Sequence, residues 1–467
     1  MKHIIKNIFT VFVALMFVQT GIAQNSQSEF KLPTYVKFTL ANGLTVYLME
    51  QHEVPLISVS AIIPAGAIYD GEKSGLANLT ASGLLYGTKS YSKSKIEEEL
   101  DFIGADLNTY ASKESAAISS KFASKDSDKV FPILKELLMD PAFDAVEFEK
   151  EKKRVLSGLE QSKLSPRNVI NAYWDKFMYG SHVYGNPVSG SPETVAKINA
   201  SDLKAFYSNN YGPRGSAIAI VGDFDARAMK ALITKMFGAW KNTGISATNL
   251  ASNPIKPMDA ARVLLVNKED ARETTFLIGG LGIRRDNPDY VAVEVINTVF
   301  GGRFTSWLND ELRVNSGLTY GARSNFNSLK NSGTFSISTF TAVNTTQPTL
   351  EKAMQVLDSL HVHGIDENTL ASAKNYVKGQ FPPRYETAGQ LANLLTQMFW
   401  YGFNESFINN FQNNVDGLSL AKSKEIINKY FPKDKLQFLL IGKSADIKKI
   451  AEKYGSVIEK DIKADGF

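Results

Sequence analysis

One order of elements occurs twice along this chain, and that duplication constrains the fold more than any single motif. In the first half, residues 36–40 and 44–48 alternate apolar and polar side chains on either side of Asn42-Gly43. Two short alternating runs separated by Asn-Gly read as a β-hairpin. A third strand is expected at 57–63 and helices at 76–86 and 94–102. Strands at 106–111 and 115–122 follow, then helices at 130–138 and 145–161. The half closes with a helix at 203–211, the turn Gly212-Pro213 and an apolar strand at 217–222. The second half repeats this order. Strands are expected at 262–267 and 274–280, helices at 290–300 and 304–314, strands at 318–325 and 333–340, and helices at 350–361 and 367–380. Its close is again a helix, 425–430, then Phe431-Pro432, then a strand at 436–442. Strands and helices mix without strict βαβ alternation, so the expected class is α+β rather than a parallel doubly wound sheet.

The chain has 467 residues, which accommodates two such halves as domains of ordinary size. The expected organisation is a signal peptide at 1–23, a first domain at 24–241, a linker at 242–259 and a second domain at 260–467. The linker assignment rests on a run rich in Asn, Ser, Thr, Ala and Pro without helical periodicity. The signal peptide rests on Lys2, His3 and Lys6 ahead of an apolar run at 8–17, with small residues placed for cleavage after Ala23. The mature protein is therefore expected to be exported, to the periplasm, without a later membrane span.

Of the net charge of +4, two units belong to Lys2 and Lys6. The remainder implies no basic stripe, which nucleic-acid binding would need. There is no cysteine, so neither disulfides nor a thiolate site is available. Histidine chemistry would have to be built from His3, His52, His182, His361 and His363. His361 and His363 fall at an expected helix end, where two residues apart point in different directions. His52 follows a hairpin and His182 stands alone. No G-x-S-x-G elbow or phosphate-binding loop is present, and the pairs Gly279-Gly280 and Gly301-Gly302 lack a dinucleotide-binding context.

Four segments, taken in order, resemble the pitrilysin family of zinc peptidases. They are Phe38-Thr39-Leu40-Ala41-Asn42-Gly43-Leu44, Pro64-Ala65-Gly66-Ala67-Ile68-Tyr69-Asp70, Gly104-Ala105-Asp106-Leu107-Asn108-Thr109-Tyr110, and Leu312-Arg313 followed by Gly317-Leu318-Thr319-Tyr320. The resemblance spans nearly all of the chain after the signal peptide. It implies two homologous αβ domains of the metallopeptidase-core type, joined by a linker and forming half of a clam-shaped chamber. Active members carry H-x-x-E-H on the first helix. Two histidines at i and i+4 bind zinc from one helix face, and the glutamate serves as general base. In the matching stretch the first His position is Asn78, the Glu position is Ala81 and the second His position is Ser82. A further ligand glutamate, expected within residues 154–159, falls at Ser157 or Gly158 when the stretch is aligned on Pro166, and Glu160 is one or two places off. Amide and hydroxyl oxygens are poor zinc ligands beside imidazole and carboxylate. The expectation is that this chain has no catalytic residue and no metal site of its own.

The resemblance further implies that the second half lends an arginine and a tyrosine to a partner's active site. These match Arg313 and Tyr320, whose donors suit a substrate carbonyl as negative charge develops on it. The implied function is a non-catalytic subunit of a heterodimeric zinc peptidase. Its partner would be a catalytic homologue with the intact motif, the zinc would sit in that partner, and the substrate would be a peptide. The strand at 106–111 is implied to pair with an extended peptide. The alternative is a stand-alone peptide-binding or scaffold protein of the same fold. A peptidase with a different site has no visible ligand cluster to rest on.

Overall fold

The computed structural model describes residues 30–241 and 254–467. The segment read as a signal peptide, and the greater part of the linker, lie outside the described residues. The chain builds two six-stranded mixed sheets. The first contains β1 (Val36–Thr39), β2 (Thr45–Glu50), β3 (Leu56–Ile63), β4 (Asp106–Ala111), β5 (Ala116–Ala123) and β6 (Ala217–Gly222). The second contains β7 (Arg262–Asn267), β8 (Glu273–Leu281), β9 (Ala322–Ser328), β10 (Gly333–Ala342), β11 (Gln437–Gly442) and β12 (Ser456–Asp461). Their orders are β1-β2-β6-β3-β5-β4 and β12-β7-β11-β8-β10-β9. Position by position, these are the same sheet, as the duplicated sequence pattern requires. The difference is at one edge. β1 pairs antiparallel with β2 through the Asn42-Gly43 turn, whereas β12 enters parallel to β7. Gly43 adopts φ +94°, and Asn42 Nδ2 donates to the carbonyls of Phe237 at 2.8 Å and Trp240 at 3.1 Å, anchoring the hairpin.

The longer helices of the first half are α1 (Leu76–Gly83), α2 (Lys93–Ile103), α3 (Ser127–Met139), α4 (Ala145–Ser162), α5 (Pro166–Tyr179), α6 (Ala200–Asn210) and α7 (Ala226–Phe237). Those of the second are α8 (Tyr290–Asn297), α9 (Thr346–His363), α10 (Glu367–Gln380), α11 (Ala388–Tyr401), α12 (Leu420–Tyr430) and α13 (Ser444–Ala451). Most strands fall within a residue or two of their expected positions. The stretch 298–321 departs from expectation. Helix α8 ends at Asn297 and passes into a π turn, Thr298–Gly302. The helix expected at 304–314 is a short α turn, Trp307–Asn309, followed by a second π turn, Asp310–Asn315. The strand expected from 318 begins only at Ala322. Side chains hold residues 318–321 off the ladder: Thr341 Oγ1 donates to the Leu318 carbonyl at 2.7 Å, and Thr339 Oγ1 to the Gly321 carbonyl at 2.9 Å.

Helices α5 and α11 lie outside the elements expected from the sequence, and they join the two halves. Each belongs to one half and packs on the other half's sheet. α11 lies against β3 and β6, and α5 against β8 and β11. The central strands show why. Along β6, Ile218 and Ile220 enter the first half's own core, while Ala217, Ala219 and Val221 face a core shared with Leu391, Leu394, Leu395 and Met398 of α11. Along β11, Phe438 and Leu440 face their own helices, while Leu439 and Ile441 pack with Val169, Ile170, Tyr173 and Trp174 of α5. Alternation along a strand thus addresses the two faces to different halves. Those four α11 side chains represent roughly 6–12 kcal/mol of burial, comparable to the whole net stability of a typical protein.

A buried polar cluster seals the same junction. Glu114, in the β4–β5 turn, accepts hydrogen bonds from the Tyr184 hydroxyl, from the Lys330 amide at 3.0 Å and from Trp400 Nε1 at 3.5 Å. Lys330 lies in the β9–β10 turn and Trp400 on α11, so the carboxylate of one half is satisfied largely by the other. Beside it, buried Lys113 pairs with Asp175 at 2.9 Å and donates to the Tyr184 carbonyl at 2.8 Å. Replacing Glu114 with alanine leaves these donors buried without an acceptor and is expected to cost about 3 kcal/mol. Urea unfolding of Glu114→Ala against the parent chain measures this, and an unshifted midpoint rejects it.

Candidate functional site

The stretch that matches the zinc-binding helix is α1, and its position is set by groups that have nothing to do with a metal. Its N-cap, Gly75, has φ +99°, and a Cβ there would lie 3.1 Å from the Gly190 backbone. Gly190 is equally constrained: its own Cβ would sit 2.4 Å from the Ser74 carbonyl oxygen. Thr194 Oγ1 donates to that carbonyl at 2.8 Å. Asp70 caps the helix from a buried position. Its two oxygens accept from the Gly75 amide at 2.8 Å and the Ala77 amide at 2.7 Å, two of the amides a helix start leaves without intrahelical partners. Burial pushes the Asp70 carboxyl up to about 7, against the downward pull of those two amides. The helix then packs on α6 and on β4.

On this helix Asn78 and Ser82 are half-buried and four residues apart, so they share one face, as the family's two histidines would. Ala81 is fully buried at 0% exposure, and its methyl group cannot accept a proton. On α4, Ser157, Gly158 and Glu160 are exposed, and a Cβ on Gly158 would meet nothing within 4 Å. At the positions the family resemblance assigns to the zinc ligands and base stand an amide, a hydroxyl, a methyl and a hydrogen or second hydroxyl. These groups do not fit zinc, which takes imidazole, thiolate or carboxylate ligands. The carboxylates about two and three turns earlier on α4 are committed elsewhere: Glu151 pairs with Arg154, and Glu147 with Lys150 at 2.7 Å and Lys93 at 3.4 Å. Among the described residues no group of three or more His, Asp or Glu side chains is arranged to hold a metal ion.

The histidines are dispersed. His52 is exposed, and its Nδ1 lies 2.7 Å from Asp223 Oδ1; that hydrogen bond raises its pKa. Ser124 Oγ also donates to Asp223, at 3.2 Å. Here the aspartate bridges the serine and the histidine, so the histidine is not placed to take the serine proton. His182 is buried against Tyr179 and Tyr184, and its Nδ1 accepts from the Tyr184 amide at 3.1 Å. His361 and His363 occupy the last turn of α9, and His361 approaches Asn428 at 3.5 Å.

Two further expected features are traceable. Strand β4 is the end strand of its sheet, paired with β5 on one side only and adjoining α1. Its residues 106, 108 and 110 are exposed, and Thr109 Oγ1 is buried without a hydrogen-bond partner. A free edge of this kind offers backbone groups to an extended peptide. In the second half, Arg313 is exposed on the π turn Asp310–Asn315, its guanidinium 4.8 Å from the Phe304 ring centroid. Tyr320 lies in the loop ahead of β9 and is 82% exposed. Phe304 and Val314 are also open to solvent, at 63% and 66%. The sequence did not single out these two apolar neighbours of Arg313. An exposed aromatic ring against Arg313 and an exposed valine next to it in the chain are the signal that identifies them.

Two predictions, one on zinc and one on Asp70, test this picture of α1. As isolated, the protein is expected to carry no stoichiometric zinc by elemental analysis. The combination Asn78→His, Ala81→Glu, Ser82→His and Gly158→Glu restores the ligand set that the family resemblance assigns to these positions, and should bind one zinc per chain. Failure of the folded combination to bind zinc would reject that correspondence. The second concerns Asp70. Its carboxyl titrates near 7 when folded and near 3.8 when unfolded, so between those values the folded protein holds more protons. Stability from this group is present below about pH 4 and is lost as pH rises through 7. Unfolding midpoints across that range should fall with rising pH, and Asp70→Asn should remove that component of the slope.

Residues 45–191 match the sequence profile described as insulinase, peptidase family M16, and residues 197–377 match that of the peptidase M16 inactive domain. An uncharacterized zinc protease of Bacillus subtilis, YmxG, is 26% identical over 344 residues, covering 73% of this chain and 82% of that protein. Subunit 1 of the mitochondrial cytochrome b-c1 complex of Bos taurus is 28% identical over 285 residues, covering 60% of this chain and 58% of the subunit. The crystal structure of a peptidase M16 inactive domain from Pseudomonas fluorescens superposes with a TM-score of 0.81 at 25% identity. That match covers 88% of this chain and 98% of that one.

Proposed function

This chain belongs to the pitrilysin/insulinase family of peptidases, M16, and on that premise we propose that it serves as the non-catalytic subunit of a heterodimeric zinc peptidase. The observation that carries the proposal is a frame kept without its ligands. Helix α1 retains its cap, its glycine contacts and the Asn78/Ser82 face, yet offers no zinc donor. The same chain also carries the free edge of β4 and, on its second half, the exposed Arg313 and Tyr320.

In this reading the partner is a homologue with an intact H-x-x-E-H helix, and it holds the zinc. This chain completes the other half of a clam-shaped chamber. Arg313 and Tyr320 donate to a substrate carbonyl next to the scissile bond in the partner's site. An arginine presents a planar fork and a tyrosine a single phenolic donor, and both act where charge develops in the transition state. The protein is exported and works in the periplasm. Among the described residues no helix is long and apolar enough to cross a membrane.

The second reading, a peptide-binding or scaffold protein without a peptidase partner, is favoured by the likeness to a subunit of the cytochrome b-c1 complex. Reconstitution separates the two. A motif-bearing homologue from the same organism is assayed for peptide cleavage alone and mixed with this chain. Cleavage is expected only in the mixture. Combining Arg313→Ala with Tyr320→Phe should lower the rate by about a hundredfold while leaving the complex intact by size-exclusion chromatography. Full activity of the homologue alone would sink the subunit reading, and a homodimer that recruits no peptidase would favour the scaffold.

A further inference from the structure

On the second half, away from α1 and from Arg313, a cleft of about 500 Å³ opens between the N-terminal end of α8 and the C-terminal end of α11. Arg285 lines it, half-buried. Its guanidinium lies inside a box of aromatic rings, with centroids at 4.0 Å for Tyr290, 4.7 Å for Phe403, 5.2 Å for Phe407 and 5.8 Å for Tyr401. Rings satisfy the faces of a guanidinium and leave its planar edge, which carries five N–H donors, without acceptors. Among the described residues the Arg285 side chain has neither a hydrogen-bond acceptor nor a carboxylate within ion-pair distance.

The other charges lining the cleft are already matched. Asp286 pairs with Arg284 at 2.6 Å. Asp289 accepts from the Tyr430 hydroxyl at 2.8 Å and pairs with Lys422 and Lys429 at 3.4 Å each. The cleft therefore holds one uncompensated positive charge on a pre-positioned fork. A half-buried cation without a counter-charge is costly unless something pairs with it.

We propose that this cleft is a binding site for the C-terminal carboxylate of a peptide ending in an apolar residue. A carboxylate matches the guanidinium fork in two parallel hydrogen bonds. A single negative charge balances the single free positive one. The apolar wall formed by Phe403, Phe407 and Leu418 lies beside Arg285, where the last side chain of such a peptide would sit. An aspartate or glutamate side chain has no apolar group beyond its carboxylate to fill that wall, and a phosphate dianion would carry a charge in excess. The site is separate from α1 and from the Arg313/Tyr320 pair, so it stands or falls independently of the subunit role.

The test is calorimetric titration of the whole chain with acetyl-Ala-Ala-Phe bearing a free carboxylate. The same peptide as its amide, an end-capped peptide with an internal glutamate, and inorganic phosphate serve as comparisons. The free acid is expected to bind at least about tenfold more tightly than the amide, and more tightly than the glutamate peptide or phosphate. Arg285→Gln should abolish that preference, and Arg285→Lys, which keeps the charge but not the fork, should reduce it. Asn414→Trp, at an exposed position lining the cleft away from the aromatic box, should block binding with an unchanged unfolding midpoint. It carries the test if Arg285→Gln does not fold. Undetectable binding of the acid, equal binding of acid and amide, preference for phosphate or for the glutamate peptide, or indifference to both Arg285→Gln and Asn414→Trp would overturn the proposal.

Discussion

A mixed sheet with two apolar faces must have both of them covered, and in this protein each half covers the second face of the other. Helix α11 lies on β3 and β6, and α5 lies on β8 and β11. The strands are written for this arrangement. Val46 and Leu48 of β2 turn to their own core, while Tyr47 and Met49 turn to the core shared with α11. Alanines at 217 and 219 keep that face shallow where α11 crosses it. The halves are consequently domains by pattern but one unit by packing. Separation would expose an apolar sheet face on each, at a cost comparable to the stability of a whole domain. The Glu114 cluster adds direction to this contact, because its carboxylate finds its donors only when the turn at Lys330 and the end of α11 are both in place.

Because that packing holds the frame, helix α1 stays in its place without the free energy of a bound metal. Asp70 caps it, Gly75 and Gly190 allow it to meet the neighbouring loop, and Lys73 ties its entry to Asp202 on α6 at 2.6 Å. None of these contacts involves Asn78, Ala81 or Ser82. The ligand face can therefore change chemistry while the helix keeps its position. This is why a zinc-peptidase scaffold can persist with an amide, a methyl and a hydroxyl where ligands and base would stand. Small domains folded by their metal behave differently, since there the metal supplies the folding free energy.

Arginine is used in two contrasting ways on the second half. Arg313 sits on a π turn, exposed, against a single ring. Such turns occur where a helix carries a local insertion, often at functional positions. Arg285 is held by four rings and is half-buried. An exposed cation gains little from a neighbour in water, whereas a partly desolvated one on a rigid support is ready to pair with an anion. In the proposed subunit role the first meets a surface that closes over it, and in the proposed cleft the second receives a ligand that comes to it.

Local pattern sufficed for much of the fold. Period-two alternation gave the strands, Asn42-Gly43 gave the hairpin, and the repeated order of elements gave two equivalent sheets, because each of these is a short-range consequence of where side chains point. The replaced motif on α1 was equally legible, since Asn78, Ala81 and Ser82 are neighbours on one helix. Residues 318–321 were misread as strand because the threonine hydroxyls that hold them come from β10, some twenty positions away. The chain order by itself determined two α+β halves and a helix without zinc donors. Only the tertiary structure decided that the halves exchange helices, that Glu114 meets Lys330, and that four rings converge on Arg285. Those contacts join residues as many as hundreds of positions apart, and no local periodicity records which distant surface an apolar face will meet.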